Sequence, residues 1–122
     1  MFDMDHFKQL NDTHGHVIGD AVLKNVTAIV RKCLRNIDQL YRIGGEEFVV
    51  IVHSDKLTDA VGVAKKIHRQ INAEQTPELP SYTVSFGVAE IQSKDSVEAW
   101  MNRADLALYH SKQNGRDQVS CG

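Results

Sequence analysis

Two glycines followed by two acids, Gly44-Gly45-Glu46-Glu47, lie between two candidate strands of this chain. The segment after them, Phe48–Val52, is continuously apolar and largely β-branched, which is typical of a central strand covered on both faces. The segment before them, Leu40–Ile43, is the second candidate. Because glycine tolerates the positive φ angles that tight turns need, the pattern predicts a β-hairpin with two carboxylates at its tip.

The spacing of apolar residues predicts the remaining elements. A period of two indicates a strand over Tyr82–Ala89, and Met1–Met4 is a further candidate strand. A spacing of three to four residues predicts the helical segments, which are a short helix or turn over Phe7–His14 and longer helices over Asp20–Leu34, Leu57–Ile71 and Val97–Leu108.

Polar residues at the ends of these segments are candidate helix caps. Ser54 and Asp55 precede the second long helix, and Asp95 with Glu98 has the spacing of a capping box for the third. Asn114-Gly115 supplies a C-terminal stop. Helices that alternate with strands and a hairpin predict an α+β fold, an α/β sandwich whose mostly antiparallel sheet is flanked by helices.

Composition limits the class of protein. The chain has 122 residues, 42% of them hydrophobic and 25% charged, which fits one globular domain. A net charge of −2 gives no basic surface for polymeric nucleic acid or an anionic membrane, so any nucleic-acid chemistry should involve small nucleotides. Two isolated cysteines, no membrane-length apolar run and no secretory signal favour a cytoplasmic location.

An acid near the first strand changes the interpretation of the hairpin tip. Exposed acids at turns are usually only solvated. Asp3 lies at a strand end, however, and a strand-end carboxylate beside a hairpin carboxylate is what Mg²⁺ requires, with substrate phosphates and water completing its shell. Asp5 follows two residues later, beyond the expected end of the strand.

The segment from Asn11 to Asp20 has two interpretations. It is rich in turn-forming residues, so it can be a loop in which Asp20 caps the following helix. Alternatively, Asn11 and Asp20 converge on a purine and select guanine, whose N1–H and amine a carboxylate can accept.

Basic residues that could hold phosphate are scattered along the chain. Lys8 lies five residues after Asp3, and Lys112 and Arg116 flank the last helix stop, where cations commonly complement the helix dipole. No glycine-rich phosphate loop of the Gly-x-x-x-x-Gly-Lys-Ser/Thr type is present. Arg35 and Asp38 are, by themselves, most simply a surface salt pair.

Taken together, these residues resemble the GGDEF family of diguanylate cyclases, in its GGEEF form. The resemblance runs from Asp3 to about Val119 in five ordered blocks. They are Asp3-Met4-Asp5-His6-Phe7-Lys8-Gln9-Leu10-Asn11-Asp12, Gly15-His16-Val17-Ile18-Gly19-Asp20, Arg42-Ile43-Gly44-Gly45-Glu46-Glu47-Phe48, Ser85-Phe86-Gly87-Val88-Ala89, and the Arg103 to Arg116 segment. The family fold is a palm-like sandwich shared with nucleotidyl cyclases.

The resemblance implies condensation of two GTP into cyclic di-GMP with release of pyrophosphate. Two GGDEF domains would face each other as a homodimer, with one GTP apiece. Asp3, Glu46 and Glu47 would be catalytic, and the Asp3 carboxylate, the Met4 carbonyl and Glu46 would hold two Mg²⁺ or Mn²⁺ ions per active site. No organic cofactor and no polymeric nucleic acid are implied.

Substrate contacts are implied for a larger set of residues. Asn11 and Asp20 would recognise guanine, and Gly45 would give ribose and phosphate close backbone access. The triphosphate would be held by the side chains of Lys8, Lys112 and Arg116, with backbone amides near His6 and Phe7.

Arg35 and Asp38 match the family's R-x-x-D inhibitory site, where the product cyclic di-GMP binds. The arginine fork fits guanine O6 and N7, and the aspartate would accept from the opposite edge. Many members complete this site with a further arginine. Here Lys66 stands at the matching place, so a point charge replaces a fork.

The resemblance departs from the family at the front. The family's N-terminal helix and most of its first strand are absent from these residues, so residues 1–122 are expected to be one GGDEF domain of a sensor protein. That parent would carry an upstream sensory domain, and membrane anchoring of the parent is compatible with this reading. The alternative function is a non-catalytic signalling module that binds cyclic di-GMP or GTP.

Overall fold

The computed structural model describes all 122 residues and shows a five-stranded sheet with four helices. The strands are β1 (Phe2–Met4), β2 (Gln39–Arg42), β3 (Glu47–Ile51), β4 (Val84–Val88) and β5 (Val119–Cys121). The helices are α1 (Phe7–His14), α2 (His16–Cys33), α3 (Leu57–Ala73) and α4 (Val97–Gln113). This arrangement confirms the α+β class.

The three-residue strand β1 occupies the centre of the sheet. The strand order is β2-β3-β1-β4-β5, in which only the β4–β5 pair is parallel. Asp3 on β1 therefore lies opposite Glu47 of β3 on one side and Ser85 of β4 on the other. The sheet thus places the strand-end carboxylate directly beside the β2–β3 hairpin, as the sequence predicts.

Three phenylalanines from adjacent strands hold the centre of the core. The ring of Phe2 stacks on Phe48 at 4.9 Å and lies 5.3 Å from Phe86. The apolar stripes of α2 and α3 pack into the same core, which confirms both helices. None of the four helices combines the length and apolar content that crossing a membrane requires.

A single glycine separates α1 from α2. Gly15 has φ +87°, a left-handed conformation that favours glycine, and its amide donates to the Asn11 carbonyl at 2.8 Å. Helix α2 begins immediately afterwards at His16. The interpretation of Asp20 as a helix cap is therefore wrong, because Asp20 lies within the second turn of α2.

The N-cap predictions for α3 and α4 are each displaced by one or two residues. Lys56 is the N-cap of α3, and Ser54 instead accepts a hydrogen bond from the Lys56 amide. At α4 the cap is Ser96, whose Oγ accepts from the Ala99 amide at 3.0 Å. Asp95 is unavailable as a cap because it pairs with Arg103.

The strands differ from the sequence prediction in their coverage. In β3 only Phe48 is fully buried, because the residues after it line an apolar groove bounded by α3, β4 and α4. In β4 the first four residues are all buried, which indicates cover on both faces in place of the predicted alternation. Strand β5 was not predicted, since three residues carry no recognisable period.

Candidate functional site

Asp3 is a buried carboxylate with one oxygen unused. Its residue is only 5% exposed, Oδ2 accepts from the Lys112 ammonium, and Oδ1 is buried without a hydrogen-bond partner. Burial raises the pKa of Asp3, and Glu46 and Glu47 raise it further, while Lys112 opposes the shift. The site therefore holds a carboxylate whose charge the protein compensates only in part.

The donors around Asp3 fit a divalent cation shared with a substrate. No group of three or more His, Cys, Asp and Glu side chains is assembled to hold a metal alone. Mg²⁺ commonly takes one or two carboxylates and completes its shell with phosphate oxygens and water. The unpartnered Asp3 Oδ1 and the neighbouring Glu46 carboxylate are hard oxygen donors of that kind.

The hairpin brings both of its acids to Asp3. Glu47 is the cross-strand partner of Asp3, and the Glu46 carbonyl accepts from the Met4 amide at 3.3 Å. Glu46 is half-buried and Glu47 exposed. The antiparallel β2–β3 hairpin is thus confirmed.

The expected positive φ of the hairpin glycines is wrong, because neither Gly44 nor Gly45 has one. Backbone bonds from the Ile43 and Gly44 amides to the Glu47 carbonyl, at 2.9 and 3.4 Å, close the turn, and a side chain reinforces it. The Arg42 guanidinium donates to the Gly44 carbonyl at 3.1 Å and to the Gly45 carbonyl at 2.6 and 2.9 Å. A Cβ on Gly45 would meet nothing within 4 Å, so its backbone is open to close approach.

Asp5 has the opposite character to Asp3, although it is only two residues away. It is 6% exposed and fully engaged: Oδ1 accepts from Ser85 Oγ at 2.6 Å, and Oδ2 accepts from Thr83 Oγ1 at 2.6 Å. The Asp117 amide adds a third donor at 3.1 Å. Asp5 therefore ties β1 to β4 and to the segment after α4, a role that the sequence analysis missed.

The end of α4 lies beside Asp3 through Lys112. After the helix stop at Asn114, Gly115, Arg116 and Asp117 have φ angles of +109°, +64° and +50°. The predicted stop at Asn114-Gly115 is confirmed. Arg116 is exposed in this left-handed turn, four residues after Lys112.

The start of α1, a few residues after Asp3 in the chain, offers backbone donors. His6 is its N-cap, in a left-handed conformation at φ +56°, and no side chain caps the first turn. Phe7 is buried and anchors the helix start, whereas Lys8 is exposed. Uncapped amides at a helix N-terminus are suited to bind an anion.

Asn11 and Asp20 lie on the adjoining helices α1 and α2. Asn11 Oδ1 is buried without a hydrogen-bond partner, and it lies so close to Gly19 that a Cβ there would be 1.7 Å from it. Asp20 is exposed and lines a groove together with Arg42. The groove thus adjoins the turn that carries Gly45 through Arg42, and Asn11 lies beside Gly19, the residue before Asp20.

The comparison with known families decides what this arrangement belongs to. Residues 1–118 match the family described as diguanylate cyclase, GGDEF domain. The chain belongs to the GGDEF family. Several relatives are similar across the same span: Diguanylate cyclase A of Treponema denticola is 40% identical over 124 residues, which cover 98% of this chain and 33% of the relative. This GGDEF domain spans between 18% and 33% of the length of the curated relatives it matches.

Solved structures show the same fold. The GGDEF domain of DgcB from Caulobacter crescentus, in complex with c-di-GMP, aligns with a TM-score of 0.91 and 33% identity, covering 98% of this chain and 74% of that one. The active GGEEF domain of a diguanylate cyclase from Vibrio cholerae aligns with a TM-score of 0.89 and 28% identity, covering 98% and 78%.

A second charged cluster of this GGDEF domain lies between α2 and β2. Arg35 donates through Nε and Nη2 to Asp38 at 3.2 and 3.1 Å, and Nη2 also reaches the His53 carbonyl at 2.7 Å. The Asp38 carboxylate further accepts the amides of Arg35 and His53. The Arg35 side chain is 57% exposed, but that of Asp38 is only 1% exposed.

These contacts show that the predicted inhibitory residues differ in how accessible they are to a ligand. Arg35 faces solvent, whereas all of the Asp38 carboxylate is used inside the protein, so its predicted direct contact with guanine would require those bonds to be exchanged. Burial opposes ionisation, but the hydrogen bonds from Arg35 and His53 outweigh it and lower the pKa of Asp38. Lys66 is exposed on α3 and forms no ion pair or hydrogen bond with Arg35 or Asp38.

Proposed function

We propose that this GGDEF domain is a diguanylate cyclase domain that condenses two molecules of cytoplasmic GTP into cyclic di-GMP and pyrophosphate. Each 3′-hydroxyl attacks the α-phosphate of the other nucleotide, so two copies of the domain face each other with one GTP apiece. The observation that carries this proposal is the unpartnered buried oxygen of Asp3, located beside the Gly-Gly-Glu-Glu turn and paired through its other oxygen to Lys112.

In this proposal each residue around Asp3 has a stated task. Asn11 and Asp20 hold guanine, Gly45 lets the ribose and phosphate approach the backbone, and Lys112 and Arg116 hold the triphosphate. Lys8 and the amides at His6 and Phe7 add phosphate contacts at the start of α1. Glu46 accepts the proton of the attacking hydroxyl, and Glu47 supports the tip.

Two divalent ions, Mg²⁺ or Mn²⁺, fit the oxygen donors at this place. The Asp3 carboxylate, the Met4 carbonyl and Glu46 would hold them. When bound, such ions lower the pKa of an attacking hydroxyl and neutralise charge on departing pyrophosphate.

The test is a nucleotide product assay with GTP and Mg²⁺, on this chain and on a longer chain that contains it. Cyclic di-GMP is expected from the unmodified protein, and Glu46→Ala should reduce its formation about 100-fold or more, because transition-state charge is left uncompensated. Glu78→Ala is the matched control, since Glu78 is exposed and its side chain forms no hydrogen bond. Turnover that survives Glu46→Ala would contradict the metal and proton roles.

We further propose that the Arg35–Asp38 cluster binds the product and inhibits the enzyme. In this arrangement Arg35 contacts guanine and Asp38 holds the fork in position, with Lys66 as a secondary cation. The solved DgcB complex with c-di-GMP supports the choice of cyclic di-GMP as the ligand. The exposed Arg35 fork supports the contact.

Calorimetry tests this second assignment. Arg35→Ala should weaken cyclic di-GMP binding about tenfold or more, because a bidentate charged contact is lost. GTP binding should stay unchanged, since the two clusters share no contact. An unchanged isotherm for cyclic di-GMP would mean that Arg35 forms only a surface salt pair with Asp38.

The alternative function is a non-catalytic module that binds cyclic di-GMP or GTP. A binding module does not require an unpartnered acid beside two further carboxylates. The product assay separates the two functions, because the module would bind nucleotide with no product formed at any Mg²⁺ concentration.

A further inference from the structure

The turn after α4 is held in an uncommon backbone conformation by residues distant in sequence. Arg116 and Asp117 both have positive φ, which is uncommon for residues other than glycine, although Asp adopts it more readily than Arg. Such a conformation persists only where the surroundings impose it. The Arg116 amide donates to the Ser111 carbonyl at 2.9 Å, and the Gln118 side-chain amide donates to the Asn114 and Arg116 carbonyls at 2.8 and 3.0 Å. None of these local bonds involves Asp117.

Two groups of contacts fix Asp117. Its amide donates to the buried Asp5 carboxylate at 3.1 Å and lies 3.2 Å from Ser85 Oγ. Its side chain accepts from α3, where His68 Nε2 lies at 2.7 Å and Asn72 Nδ2 at 3.2 Å from Oδ1. The turn is therefore attached at one residue to Asp5, which directly follows β1, and to β4 and α3.

We propose that Asp117, anchored by Asp5 and His68, is a positioning residue for Arg116. Asp117 acts through the backbone: it keeps the left-handed turn closed, and thereby holds Arg116 in a fixed place at the end of α4, four residues after the Lys112 that pairs with Asp3. This inference rests on the proposed function, in which Arg116 holds the triphosphate. Asp117, Asp5 and His68 are not among the residues for which the family resemblance implies a substrate contact.

The direction of the change in GTP affinity when the Asp117 carboxylate is removed distinguishes a positioning role from a purely electrostatic one. Removal of a carboxylate near a polyanionic ligand strengthens binding if charge alone acts. Removal of an anchor that positions Arg116 weakens it. Asp117→Ala is therefore expected to raise the Kd for GTP about tenfold, the opposite of the charge effect.

The conservative variant should restore binding. Asp117→Asn removes the same charge but keeps an oxygen that accepts from His68 and Asn72. We expect its Kd for GTP to equal that of the unmodified protein or to be lower. Asp55→Ala is a charge control, because Asp55 is exposed and its side chain has no hydrogen bond or ion pair.

A double-mutant cycle with Arg116→Ala shows whether Asp117 acts through Arg116. In the Arg116→Ala background, Asp117→Ala should cause no further loss of GTP affinity. Calorimetry with GTP and Mg²⁺ supplies the affinities, and thermal unfolding of each variant confirms that it is folded. An equal loss in both backgrounds, or tighter binding by Asp117→Ala alone, would overturn the proposal.

Amide hydrogen exchange without nucleotide examines the turn itself. Asp117→Ala should speed exchange at residues 115–118, whereas Asp117→Asn should not. If exchange behaves so but Arg116→Ala leaves GTP binding unchanged, the phosphate role of Arg116 in the proposed function fails and the positioning role fails with it. If Arg116→Ala weakens binding and Asp117→Ala does not, only the positioning role fails.

Discussion

Asp3 and Asp38 are both buried carboxylates paired with a base, yet their surroundings are opposite. Asp38 accepts from four N–H donors of Arg35 and His53, and no part of its carboxylate remains unused. Asp3 has Lys112 on one oxygen and nothing on the other, with Glu46 and Glu47 nearby. The pKa of Asp38 is lowered and that of Asp3 is raised.

The difference separates a carboxylate that serves the fold from one that, in the proposed function, is kept for a ligand. A saturated carboxylate stabilises the loop that contains it, because its charge is better solvated by the protein than in the unfolded chain. A buried oxygen without a partner costs stability, and such a cost is typical of sites shaped for another task. The carboxylate of the candidate active site thus has an oxygen without a hydrogen-bond partner, whereas the carboxylate of the candidate inhibitory site has all of its partners.

The largest expected effect is on catalysis at Asp3. Asp3→Asn should lower the rate of cyclic di-GMP formation about 100-fold or more, since an amide oxygen is a poor substitute for a carboxylate beside divalent cations. Asp38→Asn should leave the initial rate at low product concentration unchanged. Equal losses of initial rate in the two variants would remove the distinction between the two sites.

Stability should respond in the opposite direction. Asp38→Asn is expected to lower the free energy of unfolding by about 1–3 kcal/mol, because donors of Arg35 and His53 lose their acceptor. Asp3→Asn should raise the melting temperature at pH 7, because it removes a charge that burial and two acids disfavour. Thermal or urea unfolding of both variants measures this, and a loss of stability at Asp3 would show that the Lys112 pair outweighs burial.

The smallest effect is a difference in pH dependence. The raised pKa of Asp3 means that its stability penalty appears as pH rises from the ordinary value of 3.8 through the higher folded pKa. The lowered pKa of Asp38 means that its contribution is complete above 3.8 and lost as pH falls through the lower folded pKa. On acidification, the free energy of unfolding of each variant should therefore approach that of the unmodified protein. For Asp3→Asn this happens at pH values above about 3.8, and for Asp38→Asn it happens below 3.8. Unfolding free energies measured across this pH range in one buffer series test the prediction. If both variants lost their stability difference over the same pH range, the contrast between Asp3 and Asp38 would be wrong.

Much of the fold could be predicted because the evidence is local. The β2–β3 hairpin follows from the glycine pair between strand-forming segments, and α2 follows from its apolar stripe. The α4 cap differs from the prediction because Asp95 and Ser96 are adjacent, and only the Arg103 ion pair decides between them. Strand β5 was missed because its parallel pairing with β4 is not encoded in its own three residues.

The site could be predicted only as far as its motifs extend. The proximity of Asp3 to the hairpin was predictable from two strand ends. The task of Asp5 was not, because its donors Thr83, Ser85 and Asp117 are 78 to 112 residues away. The Asp38 carboxylate is fully hydrogen-bonded only because the His53 amide also donates to it, and the R-x-x-D pattern does not include His53.

The one-residue junction at Gly15 also limits how this region can evolve. Asn11 and Asp20 lie on two helices with no loop between them to absorb a change in length. Each residue added to or deleted from α2 before Asp20 would rotate that carboxylate by about 100° around the helix axis relative to Asn11. Insertions and deletions between these two residues should therefore be eliminated even where substitutions are accepted, and the nine-residue step from Asn11 to Asp20 behaves as a fixed length.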